Sequence, residues 1–579
     1  MLLAPAKRST ILAFVAAVTM LGAVLRLWQL DGQSLWLDEA FTARIAPLDV
    51  TGIINAIRSD LDTPPLHPLL VHAFLLLGSS DFVLRLPSAL AGILCIPLMY
   101  AVARRLLGTL TGLLAASMMA LSPFAIYYSQ EARMYALLLL FTLLAWYCLL
   151  RALSPISPCD IDHQENPQGK TANAAEARGW RGSSARRWWL GFTLASALGI
   201  YTHFFGFLLL GLLVIYAGVR LTVQWLTGRR TDALRNAGYL ALSLLAVFIL
   251  YLPWLPVLFS FMRENYSANP YGQRWQANLR LSVVTNVITL MLGGFMAHPV
   301  VRWVTRALFA IGLLSMLRRR PLGALFVAMS VSLPFALIMI LNPGHFVAER
   351  YFIFMLPMLI LGMAEGLCAL IAIAWALVAR CGRRAQTIAQ ALTPGAALAA
   401  FLVIILLSAS GLERYYSEPA RPAWRPLARY VARAASPDDL IVVATFPFWD
   451  KEPLQHYMKT NHRQRVVYAA EETNLKRILA NERKPAWWVL YSPTTRRFGR
   501  AMSRSLAGFT VVPFDYLALV HRNAETADGV SDGVAVLTSF MSSARPVYPG
   551  DVQRVIKGLE SSGGEIEKPG LPPVPTTVK

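Results

Sequence analysis

The sequence predicts a polytopic α-helical membrane protein with about eleven transmembrane helices and a small C-terminal α/β domain outside the membrane. Three observations predict this fold class. The 579-residue chain is 56% hydrophobic and 15% charged, and its mean hydropathy of +0.48 is too apolar for a soluble multidomain protein. Apolar runs near the bilayer-spanning length recur up to residue 411, with Lys/Arg clusters between them. Beyond residue 411 the composition changes to that of a mixed helix and strand region.

The positive charge of the chain is distributed as a membrane topology requires. The formal net charge is +21, and the basic clusters fall in alternate loops, as the positive-inside rule expects if these loops are cytoplasmic. The clusters are Lys7-Arg8, Arg104-Arg105, Arg181 with Arg186-Arg187, Arg229-Arg230, Arg318-Arg319-Arg320, and Arg380 with Arg383-Arg384. The charge is therefore not a nucleic-acid-binding surface, and we expect no nucleic acid among the partners.

The basic clusters allow the spans to be counted. The predicted spans cover residues 9–30, 82–103, 108–127, 134–152, 188–201, 205–226, 235–258, 301–317, 321–341, 351–379 and 389–411. If the N-terminus is cytoplasmic and the chain crosses the membrane about eleven times, the C-terminal region lies outside. We assign the short apolar stretch 281–297 to the outer interface, because a further crossing would move Arg318 to the wrong side. The first span lacks a clear small-residue cleavage site, which predicts a retained helix.

Four regions follow from this pattern. Residues 1–411 are predicted to form the transmembrane domain, which includes a polar cytoplasmic loop at 153–187. Residues 412–523 alternate helix-like and strand-like segments, which is typical of a small α/β domain. The predicted helices are Trp424–Ala435 and Glu472–Ala480, and the strand-like segments are 440–446, 465–470, 487–491 and 509–520. The composition of the tail 524–579 predicts disorder.

Two adjacent carboxylates follow the first predicted span, at Asp38 and Glu39. Charged side chains at a membrane boundary cost free energy unless they are used, so the pair is a candidate general base, a metal ligand, or both. The alternative interpretation is that both acids begin a helix, where they suit the N-terminal dipole. Glu39 also has Arg44 as a candidate ion-pair partner.

Further polar and aromatic side chains converge from other outer loops onto the same side of the membrane. They include Tyr128, Glu131 and Arg133 in the second outer turn, His203 in the third, and His345, Glu349 and Arg350 in the fifth. A carboxylate base, cationic groups for an anionic leaving group and aromatic faces for a sugar ring form a coherent set of groups. His203 has aromatic neighbours, which favours a structural role for it.

Four motifs occur along the chain in a characteristic order. They are Trp36-Leu37-Asp38-Glu39-Ala40, Asp62-Thr63-Pro64-Pro65-Leu66, Leu84-Arg85-Leu86-Pro87-Ser88 and Tyr128-Ser129-Gln130-Glu131-Ala132-Arg133-Met134-Tyr135. This ordered set resembles the bacterial polyprenyl-phosphate-sugar glycosyltransferases of the GT-C superfamily, which are similar to protein O-mannosyltransferases and lipid A aminoarabinose transferases. Glu349-Arg350-Tyr351 and Trp424-Arg425 also resemble that family. The resemblance covers roughly residues 8–470 and is most specific in the first 135 residues.

The resemblance implies a fold and a reaction. The fold would be GT-C-like, and the reaction would transfer a sugar from a polyprenyl-phosphate carrier to an acceptor hydroxyl, with inversion at the anomeric carbon. The location would be the outer side of the bacterial cytoplasmic (inner) membrane. The partners implied are a polyprenyl-phosphate-linked sugar, membrane lipid, and a glycan, lipid or protein acceptor.

The resemblance also implies roles for individual residues. Asp38 is the family-matched base, with Glu39 and Glu131 as the other catalytic acids. The residues implied to bind the donor phosphate or substrate are Arg350, Arg133, His345, Tyr128 and Arg85. Asp62 is the candidate metal ligand, but Thr63 stands where the family commonly has a histidine. The cofactor is therefore undetermined, and a divalent cation is the one candidate.

Some of these residues have ordinary structural interpretations. Arg85 would then extend to the membrane interface, and Glu131 with Arg133 would form a local surface pair. Other classes of protein also fit part of the pattern. A lipid-linked oligosaccharide ligase or polymerase shares the outer location. A polytopic transporter of glycolipid explains the many spans but should have paired halves with broken helices near the midplane, whereas the acids here lie at the outer ends. A receptor leaves the loop carboxylates unexplained.

Overall fold

The structure, a computed structural model, is mostly helical. It describes residues 8–60, 63–153, 174–267, 287–291, 299–341, 349–380, 383–417, 421–434, 440–444, 451–458, 465–468, 486–491, 509–514 and 517–522. The predicted tail 524–579, the predicted helix at 472–480, most of loop 153–187 and most of the stretch 281–297 lie outside these ranges.

The helices follow the apolar runs of the sequence. In chain order they are α1 Arg8–Leu27, α2 Leu37–Ile45, α3 Val50–Asp60, α4 Leu66–Phe74, α5 Asp81–Leu107, α6 Thr109–Leu121, α7 Pro123–Ser129, α8 Tyr135–Leu153, α9 Ala174–Thr202, α10 Gly206–Leu226, α11 Arg230–Tyr251, α12 Leu255–Ser267, α13 Pro299–Arg319, α14 Pro321–Leu341, α15 Leu356–Ala379, α16 Arg383–Ser417, α17 Trp424–Ala434 and α18 Lys451–Met458. Short 3₁₀ helices cover Leu75–Leu77, Leu252–Trp254 and Glu349–Met355.

Membrane-spanning helices account for most of the chain before residue 417. Within the described ranges, nine helices are long and apolar enough to cross a membrane, and the bent pair α6–α7 raises the number to ten. The predicted span 188–201 is the second half of α9, a helix that is not among these ten. The chain is therefore a multi-pass membrane protein, and the number of about eleven crossings stays a prediction.

The predicted span 108–127 is not one straight helix. It breaks at Ser122 into α6 and α7, which meet at 55°. The break follows from the sequence, because Pro123 has no backbone N–H and cannot continue the hydrogen-bond ladder of α6. Ser122 then caps α7, since its hydroxyl oxygen accepts a hydrogen bond from the N–H of Ala125 at 3.2 Å.

The chain divides into two compact units, and neither is continuous in sequence. The first contains Met1–Trp28, Leu48–Gly78 and Val83–Tyr415, and the second contains Gln29–Pro47, Ser79–Phe82 and Tyr416–Lys579. The segment after α1 therefore folds together with the C-terminal region rather than with its own chain neighbours.

Close helix packing in the first unit depends on small residues. At Gly366 of α15, a Cβ atom would lie 1.9 Å from the carbonyl oxygen of Leu308 in α13. At Gly312 of α13, a Cβ atom would lie 1.9 Å from the carbonyl oxygen of Gly362. Only glycine lets the two backbones approach this closely, as is common between membrane helices.

The second unit contains a five-stranded sheet. Its strands are β1 Leu440–Ala444, β2 Arg465–Tyr468, β3 Ala486–Tyr491, β4 Phe509–Phe514 and β5 Leu517–Arg522. Their order is β2-β1-β3-β5-β4, with parallel pairing of β1 to β2 and β3 and antiparallel pairing of β5 to β3 and β4. The predicted strand-like segment 509–520 corresponds to the antiparallel pair β4–β5, and α18 was not among the predicted elements.

Candidate active site

In the first unit, a buried arginine holds the bend between α6 and α7. Arg26, which is 0% exposed, donates from Nη2 to the carbonyl of Met119 at 2.9 Å and from Nη1 to that of Ala120 at 3.0 Å. Met119 is four residues before Pro123, so its carbonyl has no N–H from α7 to accept. Arg26 Nε also donates to Ser129 Oγ at 3.2 Å. One side chain thus fixes both ends of the bend.

Gln130, at the end of α7, makes further hydrogen bonds to the end of α1. Its amide nitrogen donates to the carbonyls of Leu25, Arg26 and Trp28, at 3.2, 3.1 and 2.7 Å. Its amide oxygen accepts a hydrogen bond from the Tyr415 hydroxyl at 2.6 Å. The ends of α1, α7 and α16 are therefore tied together immediately before Glu131.

The turn that follows carries two of the predicted site residues, and both are buried. Glu131 is 0% and Arg133 is 3% exposed, which is inconsistent with a local surface pair. The Ser88 hydroxyl in α5 donates to the Arg133 carbonyl at 2.9 Å and lies 3.4 Å from His67 Nε2. Buried polar groups are normally hydrogen-bonded within the protein, so several of them at one place indicate an internal hydrogen-bond network or a functional site.

Arg350 joins the same region from the 3₁₀ helix before α15. Its guanidinium carbon lies 6.0 Å from the ring centroid of Tyr135 and 5.5 Å from that of Tyr351, within cation–π range. The neighbouring Glu349 accepts a hydrogen bond from the Tyr128 hydroxyl at 3.4 Å. Tyr128 also lies within electrostatic range of Glu131, Glu349 and Arg350.

His203 lies against the same aromatic rings, just after α9. Its ring centroid is 5.2 Å from that of Tyr351 and 5.9 Å from that of Tyr135. Burial, together with the positive charges of Arg133 and Arg350, lowers the pKa of His203 to about 3. The imidazole is therefore neutral at physiological pH.

We call this group of side chains the polar cluster. Its members are His67, Tyr128, Glu131, Arg133, Tyr135, His203, Glu349, Arg350 and Tyr351. Burial and the charge of Arg133 also lower the pKa of His67 to about 3. His67 is therefore uncharged beside Arg133, and His203 is uncharged beside Arg133 and Arg350. An uncharged imidazole leaves the positive charge of the arginines available to an anion and can still donate one hydrogen bond.

The second unit contains the predicted acidic pair, at the start of α2. Asp38 is half-buried, and Glu39 is completely buried. Glu39 Oε2 lies 2.8 Å from Arg421 Nη1, and the Arg421 side chain is 4% exposed. Glu39 Oε2 also accepts a hydrogen bond from the N–H of Trp36 at 3.3 Å. The ion-pair partner of Glu39 is therefore Arg421, which is distant in sequence.

The structure describes only one of the three remaining predicted site residues, which are Arg85, Asp62 and His345. Arg85 is 1% exposed in the second turn of α5, so it does not extend to the membrane interface. Asp62 and His345 lie outside the described residues. Within the part of the chain that the structure describes, no group of three or more His, Cys, Asp or Glu side chains could hold a metal ion. The divalent cation stays a prediction.

Sequence reasoning missed Arg26, Gln130 and Arg421, and it favoured a purely structural role for His203. Gln130 lies inside the motif Tyr128–Tyr135. Arg26 is a charged residue four positions before the end of the first predicted span, and a charge inside an apolar span could have marked it as a candidate. Arg421 carries no local signal, because its partner is 382 residues away.

The chain resembles known proteins in both sequence and structure. The family model of dolichyl-phosphate-mannose-protein mannosyltransferases matches residues 62–157. Among curated proteins, none matches the chain. The structure of ArnT from Cupriavidus metallidurans in the apo state is similar with 16% identity and a TM-score of 0.52, covering 89% of this chain and 98% of that one.

Two further structures are similar over most of the chain. ArnT from Cupriavidus metallidurans bound to undecaprenyl phosphate gives 15% identity and a TM-score of 0.50, covering 90% and 99% of the two chains. The Archaeoglobus fulgidus oligosaccharyltransferase in its apo form gives 12% identity and a TM-score of 0.50, covering 90% and 75%. The chain shares its overall fold with these structures, and the family match covers three of the four predicted motifs, those at residues 62–66, 84–88 and 128–135. These comparisons agree with the fold that the motifs implied, and the chain is a multi-pass membrane protein with this fold.

Proposed function

We propose that the protein transfers a sugar from a polyprenyl-phosphate carrier to an acceptor hydroxyl. The observation that carries this proposal is the pair of guanidinium groups, Arg133 and Arg350, around the neutral imidazole of His203. Two permanent cations beside a hydrogen-bond donor suit a phosphate that gains negative charge as it leaves. ArnT has been seen bound to undecaprenyl phosphate, a carrier of this chemical class.

The aromatic rings of the polar cluster suit the rest of the donor. Tyr128, Tyr135 and Tyr351 surround Arg350, with centroid separations of 5.3 Å between Tyr128 and Tyr135 and 6.4 Å between Tyr135 and Tyr351. Such rings offer apolar faces to a sugar, and Tyr135 and Tyr351 also hold the guanidinium through cation–π attraction. We assign Arg133, Arg350 and Tyr128 to donor binding, together with His203. His345 and Arg85 stay candidates for the same role.

Asp38 is the best candidate for the base. Glu39 is fully buried and its carboxylate is held in an ion pair with Arg421, so it is not accessible to an acceptor. Asp38 is half-buried and therefore accessible to an acceptor. We assign Glu39 to positioning rather than to proton transfer. Glu131, buried in the turn before Arg133, would orient or bind the donor.

The proposed step balances as a single displacement. The acceptor oxygen bonds to the anomeric carbon while the bond from that carbon to the phosphate oxygen breaks. The hydroxyl proton passes to Asp38, and the bonding pair leaves on the phosphate, where Arg133 and Arg350 compensate the charge. Attack opposite the leaving phosphate inverts the anomeric carbon. This mechanism requires nothing of Asp62 or a divalent cation.

We also propose the topology implied by the basic clusters, with about eleven crossings of a bacterial cytoplasmic membrane. The N-terminus would lie inside, and an α/β domain beginning near residue 412 would lie outside. Reporter fusions after Arg320 and after Tyr416 test this topology. They should give cytoplasmic and external signals respectively, and the same signal from both fusions contradicts it.

The function itself is tested by transfer of radiolabelled sugar from a panel of synthetic polyprenyl-phosphate sugars in detergent. Wild-type protein should release free polyprenyl phosphate and label an acceptor, and Asp38→Asn should not. Mass spectrometry of lipid that co-purifies with the protein identifies the native donor and guides the panel. A co-purifying diphosphate-linked oligosaccharide, with no transfer from any monophosphate donor, would instead favour a ligase or polymerase.

A further inference from the structure

The segment that carries Asp38 is held by the C-terminal region at several points. The first is the buried pair of Glu39 and Arg421, whose side chains are 0% and 4% exposed. Because Glu39 also accepts the Trp36 N–H at 3.3 Å, the pair fixes the first turn of α2, and Asp38 lies in that turn. A buried ion pair of this kind specifies one arrangement, since any other leaves a charge without compensation.

Arg425 in α17 makes a second set of contacts. Its Nη2 atom donates to the carbonyls of Asp31 and Gln33, at 2.9 and 3.4 Å, and lies 2.5 Å from Asp81 Oδ2. Its backbone N–H donates to Ser34 Oγ at 3.0 Å. One arginine therefore defines the path of the chain from residue 31 to residue 34.

Tyr457 in α18 makes a third set. Its hydroxyl accepts a hydrogen bond from the N–H of Leu35 at 2.7 Å and donates to Asp81 Oδ2 at 2.6 Å. Burial and the Asp81 carboxylate raise the pKa of Tyr457, so the phenol keeps its proton and remains a donor. His456 Nε2 lies 3.5 Å from the other oxygen of Asp81.

All of these contacts are made to the short segment of chain that leads to and includes the candidate base, Asp38. Arg421 and Arg425 donate to residues 31–39, and Tyr457 accepts a hydrogen bond from Leu35 in the same segment. Arg421 lies just before α17, Arg425 in α17 and Tyr457 in α18. α2 and α18 also pack against each other within the second unit. A general base needs a fixed position, because a displacement of about 1 Å can lower the rate by about 10²-fold.

We propose that the C-terminal region positions the catalytic base, and that Arg421 is its principal positioning residue, acting on Asp38 through Glu39. This inference rests on the proposed role of Asp38. It gives the C-terminal region a part in the chemical step, separate from donor binding by the polar cluster. Loss of Arg421 should then lower kcat while the KM for the donor is unchanged.

The kinetic test compares Arg421→Gln, Arg421→Lys and Tyr457→Phe with wild-type protein. We expect Arg421→Gln to lower kcat by roughly 10- to 100-fold with the KM for the donor within about twofold. Arg421→Lys should recover part of the loss, and Tyr457→Phe, which keeps its ring, should lower kcat by about 3- to 10-fold. Arg429→Gln is the matched control, since Arg429 lies on the exposed face of α17, and its kcat should equal that of wild type.

A second measurement does not depend on sugar transfer. Asp38→Cys is introduced after the five native cysteines are replaced by alanine, and its rate of modification by a maleimide is measured with and without Arg421→Gln. We expect the rate to rise by about fivefold or more when the segment is released. An unchanged rate together with an unchanged kcat overturns the positioning role. A raised rate, together with wild-type protein that transfers sugar from no polyprenyl-phosphate donor, retains the positioning role and refutes the proposed function instead.

Discussion

His203 Nδ1 accepts a hydrogen bond from the backbone N–H of Phe205 at 3.0 Å. An imidazole that accepts at Nδ1 and is uncharged must carry its proton on Nε2. The hydrogen bond therefore fixes both the tautomer and the ring orientation, beside Tyr351 and the charge of Arg350. His203 is held as a hydrogen-bond donor that adds no charge of its own.

The first prediction concerns this donor. His203→Phe should lower kcat/KM for the lipid-linked sugar by roughly 10- to 100-fold, because the proposed hydrogen bond to the charged phosphate is lost. His203→Gln keeps an N–H donor and should lose less. Neither variant should move the acidic limb of the pH–rate profile between pH 5.5 and 7.5, since the wild-type imidazole does not titrate there. A shift of that limb in His203→Gln would mean that His203 transfers a proton.

The second prediction concerns stability against pH. The pKa values of His67 and His203 are lowered to about 3 in the folded protein, whereas an exposed histidine titrates near 6.5. Between these values the unfolded chain binds more protons, so the free energy of unfolding falls as pH falls from 6.5 towards 3. The slope is up to about 1.4 kcal/mol per pH unit for each histidine, and above pH 6.5 their contribution is constant.

Thermal unfolding midpoints in detergent, measured from pH 4 to pH 8, test this dependence. The double variant His67→Asn/His203→Asn should have a shallower decline below pH 6.5, whatever its midpoint at neutral pH. An equal slope in the variant and in wild type would show that both histidines are protonated in the folded state.

The third prediction separates the two acids of α2. Asp38→Asn should keep expression and donor binding yet lower turnover by roughly 10²-fold or more, the usual scale for loss of a general base. Glu39→Gln should lower the yield of folded protein, because it leaves Arg421 buried without its counter-ion, and should also lower turnover, because Asp38 loses its positioning contact. Turnover and photo-crosslinking to a polyprenyl-phosphate probe are measured on the same preparations. Near-normal turnover in Asp38→Asn would move the base to Glu39 or Glu131.

The fourth prediction concerns the carrier phosphate. A guanidinium can bind two phosphate oxygens through parallel charge-assisted hydrogen bonds, which an ammonium cannot reproduce. Arg350→Lys should therefore weaken donor crosslinking although the charge is kept, and Arg350→Ala should weaken it further. Arg302→Ala, at an exposed position of α13, is the control and should crosslink as wild type does. Unchanged labelling and turnover in Arg350→Ala would transfer the role to Arg133.

The fifth prediction concerns the bend between α6 and α7. Arg26→Met leaves the carbonyls of Met119 and Ala120 buried without their donor, at a cost of about 1–3 kcal/mol each. The thermal midpoint in detergent should fall accordingly. Adding Pro123→Ala restores a backbone N–H within reach of the Met119 carbonyl, so the double variant should recover about 1 kcal/mol. A double variant less stable than Arg26→Met would mean that the bend does not depend on this carbonyl.

The elements that the sequence predicted are those set by local pattern. Apolar runs of spanning length located the long helices, and β-branched segments located the strands, because both depend on residues that are neighbours in the chain. The 55° bend at Ser122 was missed, although Pro123 after a serine is a recognised helix start. The apolar run continues through Ser122 and Pro123, so the hydropathy pattern predicted a single uninterrupted span.

The candidate site was predictable only in part. Short motifs identified Glu131, Arg133 and Arg350, and the structure brings Tyr128 and Glu349 into contact across 221 residues of sequence. The pairing of Glu39 with Arg421 was not predictable, because an ion pair between distant residues leaves no periodic pattern. The protonation state of His203 depends on burial and on two arginines from other segments, so it needs the fold.

The order of synthesis gives the Glu39–Arg421 pair a further consequence. At about 5–20 residues per second, a ribosome needs roughly 20–80 s to advance from Glu39 to Arg421. Throughout that interval Glu39 has no Arg421 to pair with, and the turn that holds Asp38 lacks its C-terminal contacts. Under the proposed mechanism, sugar transfer therefore cannot begin on the nascent chain, and a protein released before residue 421 carries the proposed base, Asp38, without the contacts that would position it.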